Sequence, residues 1–202
     1  MATTKFTIAT QALLKIGGNP ISTFDGTDRE SVVVSNMYED TKKSLLYTTF
    51  WNFATQKTEL AKLSETSPDA NYSHVYQLPG DYIRVKGIFD NSGVKRTDYS
   101  VEKNKIYANI SPMNLEYIQE KSESDFPPFF TEVLIAKLAY EICEAVTGVG
   151  TIQERLARDY ERKLQTARTV DGQENPPRAF LDEGRLIRAR GGNTDSVIYP
   201  RS

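Results

Sequence analysis

One histidine and one cysteine in 202 residues leave few ways to build a reactive site. A His-dependent triad or an imidazole metal site has only His74 to use. That residue sits between Ser73 and Val75 in a Tyr- and Ser-containing stretch, where a surface position is the ordinary reading. A single cysteine excludes an intrachain disulfide and fits a reducing compartment. Cys143 lies in Leu138-Ala139-Tyr140-Glu141-Ile142-Cys143 and reads as a small core hydrophobe rather than a nucleophile. Glycine-rich phosphate loops are missing as well, since Gly17-Gly18 and Gly191-Gly192 lack the remaining glycines and context. No apolar run is long enough to span a bilayer. Met1-Ala2-Thr3-Thr4-Lys5 lacks the basic-then-apolar order of an export signal, so none is expected. A formal net charge of -2 gives no overall basic field toward nucleic acid or an anionic membrane. These absences lead to the expectation of a protein that is not an enzyme, with no catalytic, cofactor-binding or metal-binding residues and no cofactor.

What is present is helical pattern at both ends. Residues 4–16 place Phe6, Ala9, Leu13 and Ile16 on one face, and Gly17-Gly18 and Pro20 stop the helix. Thr27-Asp28-Arg29-Glu30 reads as a capping box opening a helix over about 28–50. Val33, Met37, Leu45 and Phe50 lie near its apolar side, and Glu39-Asp40-Thr41-Lys42-Lys43 marks its wet side. Asp125 is a plausible N-cap for a helix over 129–147 that is apolar nearly all round, as the centre of a bundle is. Thr151-Ile152-Gln153-Glu154 opens a last helix with Ile152, Leu156, Tyr160, Leu164 and Ala167 at helical spacing.

Between these, residues 57–122 lose helical spacing. Short β-prone runs stand at 82–85, 87–89, 106–108 and 115–118, separated by turn residues such as Pro79-Gly80-Asp81 and Asp90-Asn91-Ser92-Gly93. They predict a small antiparallel sheet. After Gly172 the pattern stops. Fully extended, residues 174–202 reach on the order of 90 Å, and their composition suits an arm rather than a core. Yet this stretch carries Phe180, Leu181, Leu186 and Ile187, then Val197, Ile198 and Tyr199, with Arg185, Arg188 and Arg190 among them.

Two other chemistries stay open on residue types alone. Carboxylates at Glu120, Glu123 and Asp125, or at Asp182 and Glu183, are where an acid pair for glycoside hydrolysis would be sought. Their ordinary reading is solvated charge or helix caps. Arginines 155, 158 and 162 form one stripe and 185, 188 and 190 another, and either is a place for phosphate contacts. The first stripe sits beside Asp159 and Glu161, which weakens its field.

Several stretches in order resemble one family. Ala12-Leu13-Leu14-Lys15-Ile16-Gly17 with Pro20-Ile21-Ser22 resembles the opening helix and turn of phage tail tubular protein A and related head-to-tail adaptors. Phe50-Trp51-Asn52-Phe53-Ala54 resembles that family's Trp-Asn-Phe-Ala element. Tyr76-Gln77-Leu78-Pro79-Gly80-Asp81-Tyr82-Ile83-Arg84-Val85 resembles its Leu-Pro-x-Asp-x-x-Arg-Val strand start, and Phe129 to Thr147 its hydrophobic penultimate helix. The resemblance spans most of residues 1–172. It implies a mainly α fold: an antiparallel bundle of about four helices from residues 1–56 and 123–172 with a small antiparallel β-domain inserted over 57–122; the tail matches no motif of the family, and its composition adds an extended C-terminal arm over 173–202. It also implies a structural adaptor of a podovirus-type tail, in a homo-oligomeric ring of twelvefold symmetry. Such a ring joins the portal protein to the tail nozzle and lets double-stranded DNA pass without sequence recognition. The expected location is the virion, in the tail at the portal vertex, after assembly in the host cytoplasm and without membrane contact. On this reading the arm binds the portal through Phe180, Leu181, Arg185, Leu186, Ile187, Arg188, Arg190, Val197, Ile198 and Tyr199. The alternative is a carboxylate-dependent polysaccharide hydrolase of the tail.

Overall fold

Thr4 starts the first helix, its hydroxyl accepting the Thr7 amide at 3.2 Å. The resulting α1 (Lys5–Ile16) closes on Gly17, whose φ of 77° is left-handed and free of the Cβ penalty in glycine. The computed structural model describes residues 3–148 and 152–174. Helix α1 buries Ile8, Ala9, Ala12, Leu13 and Ile16, while Phe6, expected on that face, is 41% exposed. Helix α2 (Arg29–Thr48) is capped by Asp28 rather than by Thr27. The Asp28 carboxylate accepts the Ser31 amide at 3.0 Å, and its full charge suits the helix N-terminus better than a hydroxyl does. Glu30 accepts instead from the Asn19 side-chain amide at 3.0 Å.

Seven strands follow: β1 (Thr55–Leu60), β2 (His74–Gln77), β3 (Tyr82–Phe89), β4 (Lys95–Arg96), β5 (Tyr99–Glu102), β6 (Lys105–Ala108) and β7 (Met113–Gln119). One turn of 3-10 helix at Glu123–Asp125 leads to α3 (Pro128–Thr147) and then α4 (Gln153–Glu174). Asp125 belongs to that turn and does not cap α3, whose N-cap position is Pro127 with no side-chain bond. The helix α4 runs two residues past Gly172, into what the sequence pattern assigned to the arm.

The strands form two antiparallel sheets, ordered β1-β7-β3-β4 and β2-β6-β5. The protein is therefore mixed α and β, not a mainly α bundle with one small inserted sheet. The strand content exceeds what local pattern predicts for a physical reason. Thr55-Gln56-Lys57-Thr58-Glu59-Leu60 has one apolar residue, so β1 shows no alternation. It is a strand because β7 pairs with it from Thr55 opposite Ile118 to Leu60 opposite Met113. Strand β4 is fully exposed and β5 half so, and pairing alone holds them too.

The period-2 pattern of β7 divides the core. Met113, Leu115 and Tyr117 meet Tyr76, Ile88 and Ile106 in a cluster between the two sheets. Ile118 points the other way and joins the helical core. The four-stranded sheet thus has the smaller sheet on one face and the helices on the other. In the helical layer α3 is central, packed by α1, α2 and α4, with Phe130, Val133, Leu134, Leu138 and Ile142 buried. Cys143 is buried there as well. Among the described residues no helix is long and apolar enough to cross a membrane.

Candidate interaction surfaces

The crossing from helices to sheet is built on Trp51. Its ring is fully buried, and its indole N–H donates to the Leu45 carbonyl at 3.0 Å. Phe130 meets it edge-on at 5.3 Å and Phe129 stacks at 6.3 Å, while Phe53 lies 4.8 Å from Phe130. Asn52, between the two rings, is held by α4. Both Asp171 carboxylate oxygens accept its backbone N–H, and its side-chain amide donates to the Asp171 carbonyl at 2.7 Å. Burial pushes the Asp171 carboxyl up, against the pull of the Asn52 and Phe53 amides. Arg168, one turn earlier, donates to Thr49 Oγ1 at 3.1 Å. The Trp-Asn-Phe-Ala element thus anchors the last turns of α4.

The Leu78–Val85 stretch ties the sheet to α2. Asp81 accepts from Gln119 Nε2 at 2.6 Å. The Arg84 guanidinium lies 4.2 Å from the Phe50 ring centre and 5.2 Å from that of Tyr47, and donates to the Tyr47 carbonyl at 3.0 Å. Phe50, expected on the apolar side of α2, is 39% exposed in this platform.

Lys42 overturns the expected wet side of α2. The side chain is 8% exposed, and its ammonium lies 2.8 Å from Glu39, 3.5 Å from Glu120 and 3.4 Å from Glu123. Tyr38 donates to the same Glu123 at 3.2 Å. Burial opposes the charge on Lys42, but the surrounding carboxylates outweigh it and raise the ammonium above its ordinary value. Two carboxylates considered for hydrolysis, Glu120 and Glu123, are therefore counterions of a buried lysine. Asp125 faces Ser122 and Ser124 instead. His74 opens β2 opposite Ala108, and its Nδ1 is buried with no hydrogen-bond partner. Among the described residues no group of three His, Cys, Asp or Glu side chains is placed to hold a metal ion.

The stripe at Arg155, Arg158 and Arg162 gains neighbours that only the fold supplies. Two adjoining clefts of about 440 and 380 Å³ lie along the seam between α1 and α4, and a third of about 320 Å³ continues between α3 and α4. Ile135 and Leu156, each 5% exposed, form the apolar floor, and Leu14 stands 58% exposed at the rim. Lys15 of α1 and Lys163 of α4 join the arginines on the walls. Three carboxylates answer these five cations: Asp159, 2.9 Å from both Lys15 and Arg162, Glu132, 3.1 Å from Lys163, and the exposed Glu154, 3.5 Å from Arg158. Burial alone would raise the Asp159 carboxyl, but hydrogen bonds from Arg162 and Lys15 outweigh it and leave it below the ordinary value. The seam is net positive in a chain that is net negative overall. Sequence spacing reveals the α4 stripe; Lys15 and the exposed Leu14 are visible only once α1 and α4 are docked on α3.

Arg185, Arg188 and Arg190, with the arm anchors Phe180, Leu181, Leu186, Ile187, Val197, Ile198 and Tyr199, lie outside the described residues, as do Asp182, Glu183 and Thr151. No family model matches the chain, and no curated protein matches it.

Proposed function

We propose that the chain is a structural head-to-tail adaptor of a tailed phage, one copy in a ring that joins the portal to the tail nozzle and leaves a path for DNA. The observation that supports this reading most is where the family-like stretches fall. Trp51-Asn52-Phe53-Ala54 and Leu78–Val85 both sit at joints between layers, holding α4 and the sheet to α2. Neither stretch lines a reactive centre. Residues with such positions set the relative placement of surfaces, which is what a connector requires.

The arm follows from this reading. Helix α4 is pinned by Asp171, three residues before the last described residue, Glu174, so the chain beyond it starts from a fixed point. In the proposal this arm carries the portal contact, through its apolar residues and arginines. The test is co-assembly with the cognate portal, imaged by electron microscopy. The full chain is expected to form a closed ring on the portal. A chain ending at Glu174 is expected to fold, with native circular dichroism, and to fail to join. Normal ring assembly by the shortened chain would remove the role of the arm. Failure of the full chain to bind portal, or release of reducing sugar from a polysaccharide that is lost in Glu120→Gln, would remove the adaptor reading itself.

A further inference from the structure

We infer that the open half of the four-stranded sheet, where Lys57, Lys86 and Lys95 converge, is a contact surface for the phosphates of duplex nucleic acid, bound without base readout.

Three strands bring these cations together. The helical layer meets this sheet face at Ile118 and Ile83. Two residues away along β7 the face is open. Lys57 of β1 stands opposite Glu116 of β7, and Glu116 stands opposite Gly87 of β3, beside Lys86. Lys57 and Lys86 share that one carboxylate, at 3.8 and 3.4 Å, and the Glu116 side chain is only 14% exposed. Lys95 arrives from β4, opposite Phe89. Its side chain lies across Gly87, where a Cβ would stand 2.8 Å from Lys95 Cε. The missing side chain lets the third ammonium approach the other two. One row back on β3, Arg84 is fixed by the Phe50 ring and the Tyr47 carbonyl. Among the described residues neither Lys95 nor Arg84 has a carboxylate partner. Glu59, exposed near the end of β1 opposite Asn114, is the second carboxylate on this face. Four cations thus stand against two carboxylates, one of them nearly buried.

Chemistry selects the partner. Lysine is depleted from protein interfaces, whose centres are built on apolar and aromatic anchors. Here Phe89 is half-buried and lies beneath Lys57, whose ammonium is 5.9 Å from the ring centre. That cover also removes the ring as a platform for an unpaired base. What remains is a flat array of point charges. From β1 to β4 it crosses three strand spacings, about 14 Å. Over that width a duplex presents several phosphates. The inference does not rest on the adaptor reading, because portal binding and duplex binding are separate measurements and either can fail alone.

The test is titration of a labelled mixed-sequence duplex with the full chain, read by fluorescence anisotropy between about 50 and 200 mM salt. The wild-type slope of log K against log salt is expected near about -3, for three neutralised phosphates. Lys57→Gln with Lys95→Gln, both exposed, is expected to keep native circular dichroism and make the slope shallower by about 2. The same loss of charge on α4, Arg155→Gln with Arg158→Gln, is expected to leave the slope unchanged. Glu116→Gln removes the carboxylate beneath the lysines and is expected to tighten binding about threefold. Absence of duplex binding, an unchanged slope in the sheet variant, an equal loss in the α4 variant, or weaker binding by Glu116→Gln would overturn the inference. Tighter binding of a single strand, or of polyglutamate, would overturn it too, assigning the face to another polyanion.

Discussion

Both carboxylate oxygens of Asp171 accept the one backbone N–H of Asn52, at 3.0 and 2.9 Å, from residues that are 119 apart in the chain. The Asn52 side chain returns a bond to the Asp171 carbonyl. A helix end is thereby fastened to the loop that carries Trp51. Asp171→Ala leaves a buried amide without its acceptor and is expected to cost about 2 kcal/mol. Urea denaturation, followed by fluorescence of the single tryptophan, measures this. A loss within error of zero would mean that α4 is held by its apolar contacts alone.

Asp159 and Asp171 are expected to affect acid stability with opposite signs. The folded Asp159 carboxyl lies below its ordinary value of 3.8, so its contribution is present above that pH and is lost as pH falls through it. The folded Asp171 carboxyl lies above 3.8, so the folded state holds that proton more tightly, and stability from this group declines as pH rises above 3.8. The deficit of Asp159→Asn relative to wild type should therefore shrink as pH falls below 3.8. That of Asp171→Asn should shrink as pH rises above it. Urea midpoints at a series of pH values between acid and neutral decide both.

Lys42 holds three carboxylates and is nearly buried. Lys42→Met removes the cation and leaves those charges facing one another, at an expected cost of about 3 kcal/mol. Adding Glu123→Gln should recover part of it, because one unbalanced charge is gone. A double-mutant cycle on thermal unfolding measures the coupling, and strict additivity would show that Lys42 and Glu123 do not act as a pair.

Gly26 lies against the cap of α2. A Cβ there would stand 2.5 Å from Asp28 Oδ1 and 2.6 Å from Ser31 Oγ, closer than side chains approach. Gly26→Ala is expected to displace the Asp28 cap and cost about 1 to 2 kcal/mol. Asp28→Ala should then add little in the Gly26→Ala background, as denaturation of the single and double variants will report.

Several parts of this protein depend on local pattern alone. The helices were legible because Ala9, Leu13 and Ile16, or Leu156, Tyr160 and Ala167, recur at the 3.6-residue period. The Gly17 stop was legible because only glycine takes that backbone without strain. The buried identity of α3 followed from its apolar residues on every side. Other features arise only from long-range packing. Strand β1 has no alternation and exists through β7, so the class moved from mainly α to mixed α and β. Lys42 looks like one more charge in a wet run, yet it falls in register with Val34, Tyr38 and Leu45 and is buried because Glu120 and Glu123 arrive from another element. The seam followed the same logic. Arg155, Arg158 and Arg162 could be read from spacing, but Lys15 and Leu14 joined them only when α1 and α4 packed on α3. Charge and apolar residues become a surface only through long-range packing, and packing brings together residues that no sequence window contains.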